Sequence, residues 1–180
     1  MEMGNRNSEK NELTAAVAEQ TDRALWEVNN VIACVPDALW EKEYCGQPMY
    51  KHIYHMLHSL DLWLINPNDP HYRDPQFHIP DLNNLDARTD RLITRGEIEA
   101  YTAAVGEKIR RYTRSLNAED LSGNPEGCRH CRLELILGQF RHLHALLGML
   151  MGWIIAETGE WPLTVGLEHP VPEGEYGLFS

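Results

Sequence analysis

The sequence predicts an all-α fold, a four-helix bundle, on three observations. Four segments carry apolar residues at helical spacing. No segment of any length alternates as a strand would, and no internal repeat is found. Seven of the ten prolines fall between the four segments, where helices stop and start, and three lie in the tail beyond them.

The first segment sets Leu13, Val17, Ala24, Val28, Ile32 and Val35 on one face. Pro36 ends it, because the residue before a proline is pushed out of α geometry. Asp37 to Trp40 reads as one short helical turn. Pro48 suits the first turn of a second helix, which runs to about Ile65 with Met49, Ile53, Met56, Leu57, Leu60 and Leu64 as its stripe. Residues 67–92 show little periodicity and hold four prolines. So long a loop is expected to act as a lid or rim. Thr94-Arg-Gly-Glu97 matches a capping box and opens a third helix through Ile98, Tyr101, Val105, Ile109 and Leu116. Residues 117–126 read as a polar connection.

The fourth helix has the clearest pattern. Leu133, Ile136, Phe140, Leu143, Leu147, Leu150 and Ile154 step by threes and fours. Leu137, His144, Gly148, Met151 and Ile155 make a second stripe beside them. Past Leu146 the helix is apolar on nearly every side and asks for cover. A second copy of the chain, giving a homodimer through this helix, would supply it; so would the C-terminal tail. Gly159 caps the helix, and residues 159–180 are expected to lie extended over the bundle. The whole reads as one domain, 1–180, with residues 1–11 fraying.

Lys and Arg number 16 against 27 Asp and Glu, a formal charge of −11. Such a chain is a poor partner for nucleic acid, which requires clustered cations. The longest apolar run, Ala145 to Ala156, is too short to span a bilayer. Met1 to Glu12 is polar and lacks the hydrophobic segment of a secretion signal, so a cytoplasmic location and reduced cysteines are expected.

The histidines carry the chemistry. His52, His55 and His58 stand at steps of three on the second helix, and His142 and His144 lie on the fourth. Facing helices of a bundle build metal sites from such side chains, and a catalytic site needs about three ligands. The plain alternative is a set of surface or boundary histidines. On a helical wheel His55 lies roughly 140° from the apolar stripe and His58 nearly opposite it. His142 and His144, two apart, point to different faces, so only one can join a site.

Tyr54-His55-Met-Leu-His58-Ser-Leu-Asp61-Leu-Trp63-Leu, followed by Arg141-His142-Leu-His144-Ala145-Leu146-Leu-Gly148, resembles the DinB/YfiT-like metalloenzyme family over roughly residues 12–158. The resemblance implies a four-helix bundle, often dimeric, with Ni or Zn held by three histidines. It implies a metal-dependent hydrolase or a thiol-dependent transferase. His55 matches the second-helix ligand, with Asp61 and Trp63 following it, and His142 matches the first ligand of the fourth helix. The paired histidines expected after His142 fall on Ala145 and Leu146. His58 is the candidate to complete a site with His55 and His142. His144 could do so only with the helix rotated, and Asp61 is a possible oxygen ligand or orienting partner. The alternative is a non-catalytic dimeric bundle that binds a small molecule.

Cys128-Arg-His130-Cys131 is a lone CxxC. Cys34 and Cys45 could complete four zinc ligands, but two reduced cysteines at a loop-to-helix junction read more simply. Trp40, Trp63 and Trp153 are expected to line a mouth near the histidines.

Overall fold

In the computed structural model the backbone is described for residues 3–180 and the side chains for residues 12–180. The expected fraying of residues 1–11 lies outside the described side chains. The chain is mostly helical: α1 (Met3–Cys34), α2 (Asp37–Trp40), α3 (Met49–Trp63), α4 (Arg95–Ser115), α5 (Ala118–Ser122) and α6 (Arg132–Thr158). Helix α1 lies against α4 and α6, and α3 lies against the same two, so the four long helices enclose one core. No helix among the described residues is long and apolar enough to cross a membrane.

The core is built from the expected stripes. Met49, Ile53, Met56, Leu57 and Leu60 on α3, with Leu64 just past its end, are all at most 2% exposed. They meet Val28 and Ile32 of α1, Ile98 and Ile109 of α4, and Ile136, Leu150 and Ile154 of α6. Each such side chain contributes about 1.5–3 kcal/mol by leaving water. Leu13, read into the first stripe, is 46% exposed at the outer end of α1.

The helix ends follow their sequence signals. Thr94 and Glu97 form the reciprocal capping box at the start of α4. Gly159 closes α6 at φ 79, in the left-handed region that favours glycine. Arg95, just inside α4, donates to the carbonyls of Val35 (2.7 Å) and Ile32 (3.4 Å), pairs with Asp37 and lies 4.4 Å from the Trp40 ring. One guanidinium thereby satisfies the end of α1 and joins it to α4. Asp22 of α1 ties the same two helices through Arg110 and Arg114.

Two elements escaped the sequence. Glu43–Tyr44 pairs antiparallel with Gln47–Pro48 across Cys45 and Gly46, both at positive φ, in a two-residue turn. Two-residue strands are too short to show alternation. Helix α5 occupies the predicted polar connection; its Asn117–Asp120 capping box was readable but preceded no apolar run.

The tail runs along α1, and its residues 164–167 also lie beside Phe140 and His144 of α6. Asn30, fully buried, donates to the carbonyls of Leu163 (2.9 Å) and Leu178 (3.0 Å) and accepts from the Leu178 amide (2.8 Å). Arg23 holds the carbonyls of Gly166, Leu167 and His169, and Glu27 accepts from the Val165 amide. Pro162 and Phe179 pair in an isolated bridge that folds the tail back on itself. On α6, Leu137, Ala145, Gly148 and Gly152 remain exposed.

Asn30→Ala removes three hydrogen bonds at a dry position, and about 1–3 kcal/mol should be lost. A loss of unfolding free energy of that size in urea, with new protease cuts within residues 160–180, is the expected result. His144 lies 3.6 Å from Glu27, and its pKa is raised, first by that hydrogen-bonding partner. A raised histidine stabilises below its unfolded value and loses the effect as pH rises through the folded one. His144→Gln should therefore lower the urea midpoint at pH 5.5 and leave it unchanged at pH 8.5.

Candidate metal centre

The face of α3 opposite its apolar stripe is polar, yet it is not solvated. Residues 64–94 have no helix or strand and lie across it. Buried Gln47, just before α3, donates to the carbonyls of Leu85 (2.8 Å) and Ala87 (3.0 Å). One turn on, the ammonium of Lys51 also reaches the Ala87 carbonyl. Lys51 is 1% exposed, and burial pushes its pKa down against the opposing pull of Asp81. Another turn on, His55 Nδ1 donates to the Asn83 carbonyl at 2.7 Å. Leu82 and Ile93 anchor the loop in the core, both fully buried.

His58 follows in the same row. Its Nε2 donates to Asp74 Oδ1 at 2.7 Å, and its Nδ1 faces the Asn83 amide at 3.4 Å. Burial depresses its pKa and outweighs the opposing effect of Asp74, so the ring is kept neutral. His78 stacks on His58, ring centroids 5.6 Å apart and planes 22° apart. His78 Nε2 lies 3.8 Å from Asp74 Oδ2, and its Nδ1 is 2.6 Å from the Tyr54 hydroxyl. Among the described residues, His58, Asp74 and His78 are the group whose ligand atoms all lie within 4.8 Å of one another. They could hold a metal ion: two imidazoles and a carboxylate suit a first-row divalent ion, with positions left for water.

The surroundings suit that role. Tyr54 is fully buried, and burial pushes its hydroxyl far up, so it stays protonated. It contacts His78 at Nδ1, the nitrogen away from Asp74, while the Asn83 amide donates to His58 Nδ1 and leaves the His58 proton on Nε2, facing Asp74. The His58 and His78 side chains are 8% and 17% exposed, whereas Asp74 is 43% exposed and marks the open side. Beneath them Asp61, 6% exposed, accepts from Tyr101 (2.9 Å) and pairs with Lys108 (2.6 Å). Tyr72 spans the two groups, its ring 5.9 Å from His58 and 5.3 Å from the Lys108 nitrogen.

The sequence-derived residues are divided between two places. His55 and His142 do meet, ring centroids 5.7 Å apart, and burial followed by the nearness of His55 lowers the His142 pKa. No third ligand completes that pair in a group of three among the described residues. Ala145 is exposed where the resemblance calls for histidine. His58 joins Asp74 and His78 instead. His144 turns to Glu27. His58, which the wheel set nearly opposite the apolar stripe, is 6% exposed because the loop covers that face, and His52 is 3% exposed. His52 Nε2 donates to the Tyr44 carbonyl (2.8 Å), and its ring meets Trp153 edge-on at 4.8 Å. Trp63 is 48% exposed and Trp40 lies against Arg95, so Trp153 alone of the three tryptophans meets a histidine.

Asp74 and His78 were missed. Both lie in the unpatterned loop, where no periodicity relates a residue to a facing helix. The cysteines follow the simpler reading. Cys131 caps α6, and Cys34 is held apart, donating to the Leu178 carbonyl, its thiol pushed up to about 11, first by burial.

No family model, no curated protein and no solved structure matches this chain.

Asp61→Ala would strand Tyr101 and Lys108. Losing one partner of a buried pair costs about 3–5 kcal/mol, and the 37% exposure of Lys108 lowers this to about 2. Chemical denaturation should show that loss, and Asp61→Asn a smaller one.

Proposed function

We propose that this chain is a DinB-like four-helix bundle acting as a metal-dependent hydrolase. Its divalent ion, zinc or nickel, is held by His58, Asp74 and His78. The observation behind this reading is the convergence of those three side chains beneath the loop over α3. The three-histidine set of the resemblance does not fit this chain, since His55 and His142 have only Ala145 and Leu146 where further ligands belong.

When bound, a divalent ion supplies Lewis acidity and lowers the pKa of a coordinated water toward neutrality. The remaining work falls to the chain. The depressed pKa of His58 leaves its imidazole neutral, so ligation through Nε2 would require only that the ring's one proton, which faces Asp74, move to Nδ1. Asp74, whose Oδ1 now accepts from His58, would offer its carboxylate to such an ion. Tyr54 holds His78 with Nε2 toward the site. The loop excludes water on the α3 side and leaves access past Asp74.

Tag-free protein soaked in zinc or nickel and then desalted should retain about one ion per chain by mass spectrometry. His58→Ala and His78→Ala should each cut this by about tenfold with helical circular dichroism unchanged, while His142→Ala retains it. The loaded wild type should cleave one of a panel of chromogenic esters and phosphoesters that His58→Ala does not. Loss of the ion in His142→Ala with retention in His58→Ala would return the site to the positions of the resemblance and sink this reading.

A further inference from the structure

Residues 73–77 also face α4, and between them lies a cavity of about 640 Å³. That is the size of a small-molecule site. Phe77 and Tyr101 form an apolar corner, ring centroids 5.8 Å apart and planes at 88°. Ala100 and Ala104, one turn apart on α4, leave room that larger side chains would fill. Two arginines stand at the edge. Arg91 is paired with Glu97. Arg73 donates through Nη1 to the carbonyls of Pro70 (3.2 Å) and Tyr72 (2.7 Å) and, among the described residues, faces no carboxylate.

The contrast between the two arginines of this edge is informative in so acidic a chain. Arg91 is answered by Glu97, as six other arginines are by an Asp or Glu, whereas Arg73, like Arg129, Arg132 and Arg141, has no such ion pair among the described residues and is the one of these four that lines the cavity. With a formal charge of −11 the chain has carboxylates to spare. The guanidinium at the apolar corner is nevertheless left with an open edge. We propose that the cavity binds a small carboxylate with an aromatic or branched apolar body. The body packs against Phe77, Tyr101 and the two alanines. The carboxylate takes the free Nε and Nη2 edge of Arg73, whose planar fork matches two oxygens. A neutral apolar molecule would leave that cation unanswered. The site is independent of the metal centre: Arg73, Pro75 and Phe77 line it, while Asp74 and His78, interleaved with them, turn to α3.

The test is a titration of the full chain with 2-naphthoate in excess chelator, followed by probe fluorescence and amide chemical shifts. One saturable site is expected, with shifts at Phe77, Tyr101 and Ala104. The neutral 2-naphthamide should bind about tenfold more weakly. Arg73→Ala, an exposed change that spares the core, should bring naphthoate down to the level of the amide. Ala104→Trp should abolish both with helical circular dichroism unchanged. Equal binding of the two probes, or naphthoate binding indifferent to Arg73→Ala, overturns the proposal, as does absence of saturable binding. Because chelator is present throughout, failure of the metal reading leaves this result intact, and failure here leaves metal content unchanged.

Discussion

Residues 64–94 must satisfy their backbone groups without a helix or strand, and α3 is what allows it. Gln47, Lys51 and His55 present donors once per turn, and each ends on a loop carbonyl. The carbonyls accept, so the loop can lie flat on the helix. The helix in turn buries a face that its composition would have exposed. From this clasp follow the neutral state of His58, the depressed ammonium of Lys51, and the position of Asp74 and His78 beside α3. A carbonyl ladder of this kind is as directional as a strand pairing, but its donors come from side chains.

Much of the fold was legible because it rests on local rules. The stripe of α3, the capping box at Thr94, the stop at Pro36 and the left-handed Gly159 each depend on a few neighbouring residues. The histidine face shows where such rules stop. A helical wheel measures distance from the apolar stripe, and it takes the opposite side for solvent. Here the opposite side meets a loop that supplies polar partners, so His58, against Asp74 and Asn83, is as buried as the core. The loop was recognised as unusual by its length and prolines. Which of its residues would reach α3 was not, since an irregular backbone has no repeat to extrapolate.

The two sides of the protein solve the same problem with different chemistry. On the α3 side the covering segment ends on neutral and cationic donors. On the α1 side the tail ends on Asn30, Arg23 and Glu27, an amide and two charges, with His144 adding a proton-sensitive contact. Neither covering segment has much regular structure. Both are held by side chains of the long helix beneath them, so the rigidity of those helices sets the order of the coils.

The three residues His58, Asp74 and His78 belong to one short stretch of chain, the end of α3 and the loop directly after it. His142, by contrast, sits on α6 and meets His55 only after α4 and α5 have been laid down between them. Closing a short loop costs little entropy and happens early. A centre built from neighbours in sequence can therefore assemble on a chain emerging from synthesis, before its last helix exists. An ion captured by His58, Asp74 and His78 at that stage would fix the coil against α3 while the rest of the molecule was still unfolded.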